Sequence, residues 1–180
     1  LTPQTVTMPD GAVSGTFNPA SGVYSFKGVP YAEPPVGDLR FADPVPVTPW
    51  NATVRNASEF APGCIQVCGP PEIMLTDCPP SQSEDCLHVN VYSPNVTLGA
   101  PLLPVIFFIH GGTYKTGTAG APKFDGQELV RTAKAVVVTI NYRLNVFGGL
   151  YLGALIDGNY QTKDQREAMR WVQRNIAAFG

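Results

Sequence analysis

Charge is scarce in this sequence. Only 14% of its 180 residues are Asp, Glu, Lys or Arg, against about a quarter in an ordinary soluble domain. A surface this poor in charge is expected to be partly buried against polypeptide outside these residues. Basic patches are missing too: the formal net charge is -2 and the pI about 5.6. The longest cationic row, Lys163, Arg166, Arg170 and Arg174, falls on one predicted helix and reads as a solvated face. Nucleic acid is therefore a poor partner for this chain. Long apolar runs are also missing. The longest, Leu102 to Ile109, falls well short of the roughly 20 residues a membrane-spanning helix needs. There is no internal repeat and no low-complexity tract. No leader peptide is visible at Leu1, and Leu1-Thr2-Pro3-Gln4 reads as the start of a mature chain.

Glycine and proline are plentiful, 18 of each, which points to many loops and strand ends rather than long helices. The four cysteines, Cys64, Cys68, Cys78 and Cys86, crowd into one Pro-rich stretch, separated by three, nine and seven residues. An even number so placed reads as two disulfides, with three connectivities open. A zinc site would ask for closely spaced pairs and usually a histidine between them. Three Asn-X-Ser/Thr sequons, at Asn51, Asn56 and Asn95, fit an oxidising, secretory route and N-glycans. The expectation is a secreted or secretory-pathway protein that needs no metal and no cofactor.

Strand-like runs flank Pro9-Asp10-Gly11: Thr5 to Thr7 on one side and Ala12 to Phe17 on the other. Asp-Gly between two such runs predicts a hairpin. A third run covers Val23 to Val29, followed by a Pro-rich stretch, Pro30 to Trp50, with little regular structure expected. Leu87 to Tyr92 alternates like a strand. Val105 to Ile109 and Ala135 to Ile140 are short, continuous, β-branched runs of the kind that sheets cover on both faces. Gly126 to Lys134 is expected to form a helical crossover with Leu129 and Val130 inward. Asp164 to Phe179 reads as an amphipathic helix whose apolar positions are Ala168, Met169, Trp171, Val172, Ile176 and Phe179. Strand, helix, strand, helix is an α/β pattern. The last helix has no following strand to lie beside, and a half sheet leaves edges open. Residues 1–180 are accordingly expected to be the N-terminal part of one domain, completed by the rest of the same protein or by a second cleaved chain.

Ile109-His110-Gly111-Gly112-Thr113-Tyr114 carries the chemistry. Glycines just past a buried strand let backbone N–H groups turn toward a ligand without interference from Cβ. By itself His110-Gly111-Gly112 also fits a tight glycine turn with nothing to bind. It is accompanied by Gly28 to Phe41 (GVPYAEPPVGDLRF), Glu84 to Tyr92 (EDCLHVNVY), Phe108 to Gly112, Val138 to Leu144 (VTINYRL), Gly158-Asn159 with Asp164-Gln165, and Trp171 to Gly180. Through these blocks, in this order, the chain resembles the type-B carboxylesterase and cholinesterase family from nearly one end to the other.

The resemblance implies an α/β-hydrolase fold: a mostly parallel central sheet with an N-terminal antiparallel hairpin. It implies that Cys64 pairs with Cys86 and Cys68 with Cys78, one loop nested in the other. It implies structural salt bridges from Arg40 to Glu84 and from Arg143 to Asp164, which outweighs reading Glu84-Asp85 as a catalytic carboxylate pair. Gly111, Gly112 and Thr113 would shape an oxyanion hole, with Gly112 and Thr113 as donors. The family's Gly-X-Ser-X-Gly elbow, acid and triad histidine would lie beyond Gly180. His88 then reads as a strand residue and His110 as a structural part of the glycine loop.

Two departures bear on function. The family usually has a third glycine where Thr113 stands, and a β-branched residue there restricts the loop or crowds the acyl pocket. Non-catalytic adhesion members also carry a hydroxyl residue at that place, followed by Tyr, as Tyr114 does here. Between Cys64 and Cys86 there is no aromatic residue, so a choline site built on a tryptophan of that loop is not expected. The leading reading is a fragment of a secreted carboxylic-ester hydrolase acting on an ester substrate. The alternatives are a non-catalytic adhesion or extracellular structural glycoprotein, and a fragment with no function of its own.

Overall fold

The computed structural model describes residues 1–68 and 78–180. The expected hairpin forms from β1 (Thr2–Met8) and β2 (Gly11–Asn18), paired antiparallel with Met8 opposite Gly11. β3 (Val23–Pro30) returns beside β2. β4 (Trp50–Asn56) pairs parallel with the beginning of β2, Gly11 to Ser14, on the edge that β3 takes up at the end of β2, with a register shift between Gly11 and Ala12. Two-residue strands β5 (Gly63–Cys64) and β6 (Gln82–Ser83) pair with each other inside the cysteine loop. β7 (His88–Ser93) pairs antiparallel with both β3 and β9 (Val136–Ile140), and β8 (Val105–Ile109) lies parallel to β9. The result is a mixed seven-stranded sheet in the order β1-β2-β3-β7-β9-β8, with β4 branching from β2. Its parallel pair β8/β9 sits at the end far from the hairpin.

The unbroken apolar run of β9 is explained by cover on both sides. Val136, Val138 and Ile140 point into a core that includes Phe26, Val89, Val91, Trp171 and Phe179. Val137 points the other way and joins Val23, Tyr92 and Val130. Helix α1 (Gln127–Ala133) therefore closes one face. Helix α3 (Tyr160–Asn175), preceded by the short α2 (Asn145–Gly149), closes the other, with Ala168 and Trp171 fully buried.

Several expectations are corrected. Leu129 is not inward: it is 42% exposed, and Val130 alone of the pair enters the core. Met169 is likewise 44% exposed, on the outer side of α3. That helix begins at Tyr160, four residues before the expected Asp164. The basic row on α3 is not uniformly solvated. Lys163 is held between Asp43 and Asp157 at 2.6 and 2.7 Å, and Arg174 bonds the buried Glu167 at 3.1 Å. Strand β4 and helix α2 add regular structure that the sequence pattern did not signal.

Candidate active site

β8 ends at Ile109 beside the end of β9, so the segment after it emerges at the carboxyl edge of the parallel pair. His110 is buried there. Its ring stacks on Tyr142 with centroids 4.5 Å apart, and its carbonyl accepts the Tyr142 hydroxyl at 2.7 Å. Burial, aided by neighbouring Tyr114, pushes the Tyr142 phenol up to about 12, so it stays a proton donor at neutral pH.

Beyond His110 the chain folds back sharply. Gly112, Thr113 and Tyr114 have φ of 118°, 55° and 60°. Two successive non-glycine residues with left-handed backbone cost on the order of 1–2 kcal/mol each, and the surroundings hold them there. The Gly112 carbonyl accepts the amides of Lys115 and Thr116 at 2.9 and 3.1 Å. Asn145 donates its backbone N–H to the Tyr114 carbonyl and its Nδ2 to the Lys115 carbonyl, at 2.8 and 2.7 Å. The Thr113 hydroxyl turns back onto the Gly112 carbonyl at 2.7 Å.

These bonds occupy the carbonyls of Gly112, Tyr114 and Lys115. Among the described residues, no acceptor is bonded to the N–H of Gly111, Gly112 or Thr113. Beside them lies a cavity of about 360 Å³ lined by Ile109, His110, Gly111, Thr113, Tyr114, Tyr142 and Gln165. Successive backbone amides without acceptors are the raw material of anion-binding concavities in general.

The far end of the loop is anchored from the cysteine segment. Gln66 is buried, and its Nε2 donates to the Gly117 carbonyl at 2.9 Å while the Gly117 N–H donates to its Oε1 at 2.8 Å. Just beyond, the Asn141 Oδ1 accepts the Ala119 N–H at 2.8 Å, and the Asn141 carbonyl accepts the Tyr31 hydroxyl at 2.8 Å. Sequence reasoning passed over Gln66, Asn141 and Tyr142 as site residues. Asn141 and Tyr142 stand in the block Val138 to Leu144, whereas Gln66 carries no pattern at all.

The other site residues lie around this centre. Disulfides join Cys64 to Cys86 and Cys68 to Cys78, with Cα atoms 5.0 and 6.0 Å apart. Arg40 faces Glu84, with Nη2 donating to Oε1 at 2.9 Å, and ties down the base of the cysteine loop. Arg143 meets Asp164 through two guanidinium bonds at 2.8 and 2.7 Å and a backbone N–H at 3.0 Å, with both side chains almost wholly buried. Burial pushes the Asp164 carboxyl up, and the guanidinium opposes that rise. The Arg40 carbonyl accepts Arg143 Nη1 at 3.1 Å, which chains the two pairs together. His88 opens β7 and lines a different cavity of about 370 Å³ with Glu33, Arg55 and Asp85. Asn51 and Asn56 are exposed on β4, and Asn95 is half-buried. Among the described residues, no three His, Cys, Asp or Glu side chains are grouped to hold a metal ion, and no helix is long and apolar enough to cross a membrane.

A model of the carboxylesterase family matches residues 2–180. The chain belongs to that family. This carboxylesterase-family chain is 40% identical over 183 residues to the para-nitrobenzyl esterase of Bacillus subtilis (strain 168), covering 100% of the chain and 36% of that protein. It is 42% identical over 193 residues to carboxylesterase 1C of Mus musculus, with 100% of the chain and 34% of the relative covered. It is 45% identical over 159 residues to the juvenile hormone esterase of Tribolium castaneum, with 87% and 26% covered. The chain thus spans about a third or less of the length of these relatives. Membership carries the α/β-hydrolase fold, and the mixed sheet with its N-terminal hairpin agrees with it.

Proposed function

We propose that this chain supplies the oxyanion hole of a carboxylic-ester hydrolase whose nucleophilic serine, acid and histidine come from residues outside it. The observation that carries the reading is the row of unbonded amides at Gly111, Gly112 and Thr113 beside a cavity at the end of β8. When a serine attacks an ester carbonyl, negative charge gathers on the carbonyl oxygen. The Gly112 and Thr113 N–H groups then donate to that oxygen, each contributing about 3 kcal/mol to lowering the barrier. Donors held by a fixed backbone need little reorganisation as the charge develops, and the hydrogen bonds that fold the loop at Gly112, Tyr114 and Lys115 support this reading. Leaving a thiol or amine aside, the reaction needs only water as co-reactant: the serine takes the acyl group, the alcohol leaves, and water releases the acid.

The two disulfides and the sequons at Asn51, Asn56 and Asn95 support a secreted, N-glycosylated protein. Asn56 Oδ1 accepts the Ser58 amide at 3.0 Å and Asn95 Oδ1 the Thr97 amide at 2.9 Å, so at both positions the oxygen, and not the Nδ2 that a glycan would take, is engaged.

The test is hydrolysis of short-chain aryl esters by the protein that carries these residues, with and without a serine-directed phosphonate. Turnover abolished by the phosphonate is the expected result. Absence of any phosphonate-sensitive turnover removes the esterase reading in favour of a non-catalytic adhesion or structural role.

A further inference from the structure

Gln66 lies outside both the row of donors and the lining of the cavity beside it. It belongs to the cysteine loop, two residues past Cys64, yet its side chain leaves that loop to bond the backbone of the glycine loop. Its amide makes both bonds that a neighbouring β-strand would offer: Nε2 to the Gly117 carbonyl at 2.9 Å and Oε1 from the Gly117 N–H at 2.8 Å. The same Nε2 bonds the Cys64 carbonyl at 3.1 Å, and the Gln66 backbone N–H is fixed by Gln82 Oε1 at 2.7 Å. A buried amide bonded on both its oxygen and its nitrogen is held tightly in place.

What Gly117 touches gives this clamp its consequence. Gly117 has φ 119°, and a Cβ there would come within 2.6 Å of the Gly111 carbonyl and 2.9 Å of His110 Cε1. Its backbone therefore packs directly against the His110 ring and the carbonyl of Gly111, the first residue of the donor row. Gly117 is thus packed against the two residues that lead directly into Gly112 and Thr113. The cysteine loop also has its own anchors, the Cys64–Cys86 disulfide and the Arg40–Glu84 pair.

We infer that Gln66 is a positioning residue for the oxyanion hole, so that the cysteine loop sets the catalytic rate through one side-chain amide. This rests on the esterase reading above. Gln66 does not touch the substrate. It acts through Gly117 on the aim of the donors, and a misplacement on the order of 1 Å in such a site costs about 100-fold in rate. Substrate binding is served by other parts of the cavity, so the loss falls on kcat and not on KM.

The discriminating variant is Gln66→Glu. Ionised, its carboxylate still accepts from the Gly117 N–H but repels the Gly117 and Cys64 carbonyls. Protonated, it offers one C=O and one O–H in the layout of the original amide. Burial among carbonyls raises the pH at which that proton is lost. The expected result at pH 8 is a kcat about 10- to 100-fold below wild type with KM within about twofold. As the pH falls to 5, the ratio of variant to wild-type kcat climbs by about tenfold, while the ratio for Gln66→Leu stays flat and low. Hydrogen exchange of residues 110–118, compared with wild type at each pH, is expected to be faster in the Gln66→Glu variant at pH 8 and to return at pH 5.

A flat kcat ratio for Gln66→Glu, or Gln66→Leu within twofold of wild type, overturns the inference. If Gln66→Glu does not fold, Gln66→Asn takes its place, since it keeps both groups but withdraws them by one methylene; wild-type kcat in that variant overturns the inference equally. If wild type hydrolyses no ester at all, the esterase reading falls by itself. Exchange then decides about Gln66, and an unchanged loop in Gln66→Glu at pH 8 overturns its positioning role.

Discussion

The Gln66 side chain and the Gly117 peptide exchange two hydrogen bonds, at 2.9 and 2.8 Å, across 51 residues of sequence. The contact joins a loop closed by disulfides to a loop closed by glycines. Each was legible as a loop, but nothing in either announced that one grips the other.

Gly112 is held by its backbone shape and not only by lack of space. With φ 118°, an L side chain there is strained, and a Cβ would overlap the Thr116 carbonyl. Gly112→Ala is expected to cost about 1–3 kcal/mol in stability and to lower ester turnover at least tenfold. Thermal melting and aryl ester hydrolysis of the purified variant check this, and a variant equal to wild type in both would remove the argument from backbone strain.

The Arg143–Asp164 pair is buried on both sides, at 2% and 0% exposure. Removing one partner leaves a charge without an opposite in a dry place. Asp164→Ala is expected to destabilise by about 3–5 kcal/mol. Pairing Arg143→Met with Asp164→Leu is expected to restore part of that loss, because neither charge then remains. Urea denaturation of the single and double variants reads the difference, and a double variant worse than both singles added together would sink the account.

His88 has a depressed pKa, chiefly because burial disfavours its charged form, with Asp85 pulling the other way and Arg55 adding to the depression. Among the described residues, its buried Nδ1 has no hydrogen-bond partner. The unfolded chain takes up this proton near pH 6.5, whereas the folded chain takes it up only at lower pH. Below about 6.5 the unfolded state therefore binds more protons, and stability falls as pH falls. Between pH 7 and 5, wild type is expected to lose more melting temperature than His88→Phe. Parallel melting curves for the two proteins across that range would contradict it.

Asn51, Asn56 and Asn95 are expected to carry N-glycans when the protein passes through a secretory pathway. Enzymatic removal of N-glycans in heavy-oxygen water converts each occupied Asn to a mass-labelled Asp. Unlabelled peptides at all three positions would argue against that route.

Much of the fold was legible because local chemistry and tertiary structure agree. Asp10-Gly11 turns between alternating strands, and the Ala135 to Ile140 run is apolar on successive residues because α1 and α3 cover opposite faces. The candidate site was legible through glycines placed directly after an apolar strand-like run, although the expected cover on both faces is absent: β8 is the edge strand, with Val105 and Ile109 each 37% exposed. Other elements were hidden for identifiable reasons. In β4 only Trp50 is buried and the next six residues are exposed, so no alternation marks it. α2 contains Gly148 and Gly149, which read as a loop by propensity. Leu129 and Met169 were misplaced because a hydrophobic residue at helical spacing can sit just outside the covered stripe.

By itself the sequence determined what is local or periodic: the hairpin, the buried strands, the amphipathic helix, the glycine loop and the crowding of four cysteines. Tertiary structure alone decided which distant partners meet: Gln66 with Gly117, Tyr142 with His110, Asn145 with Tyr114, and Lys163 with two carboxylates. The physical reason is that a periodic pattern records how much of a residue is buried. A hydrogen bond between residues far apart in the chain depends on a donor and an acceptor atom arriving within about 3 Å of each other, and a single polar side chain leaves no trace of that in its neighbours.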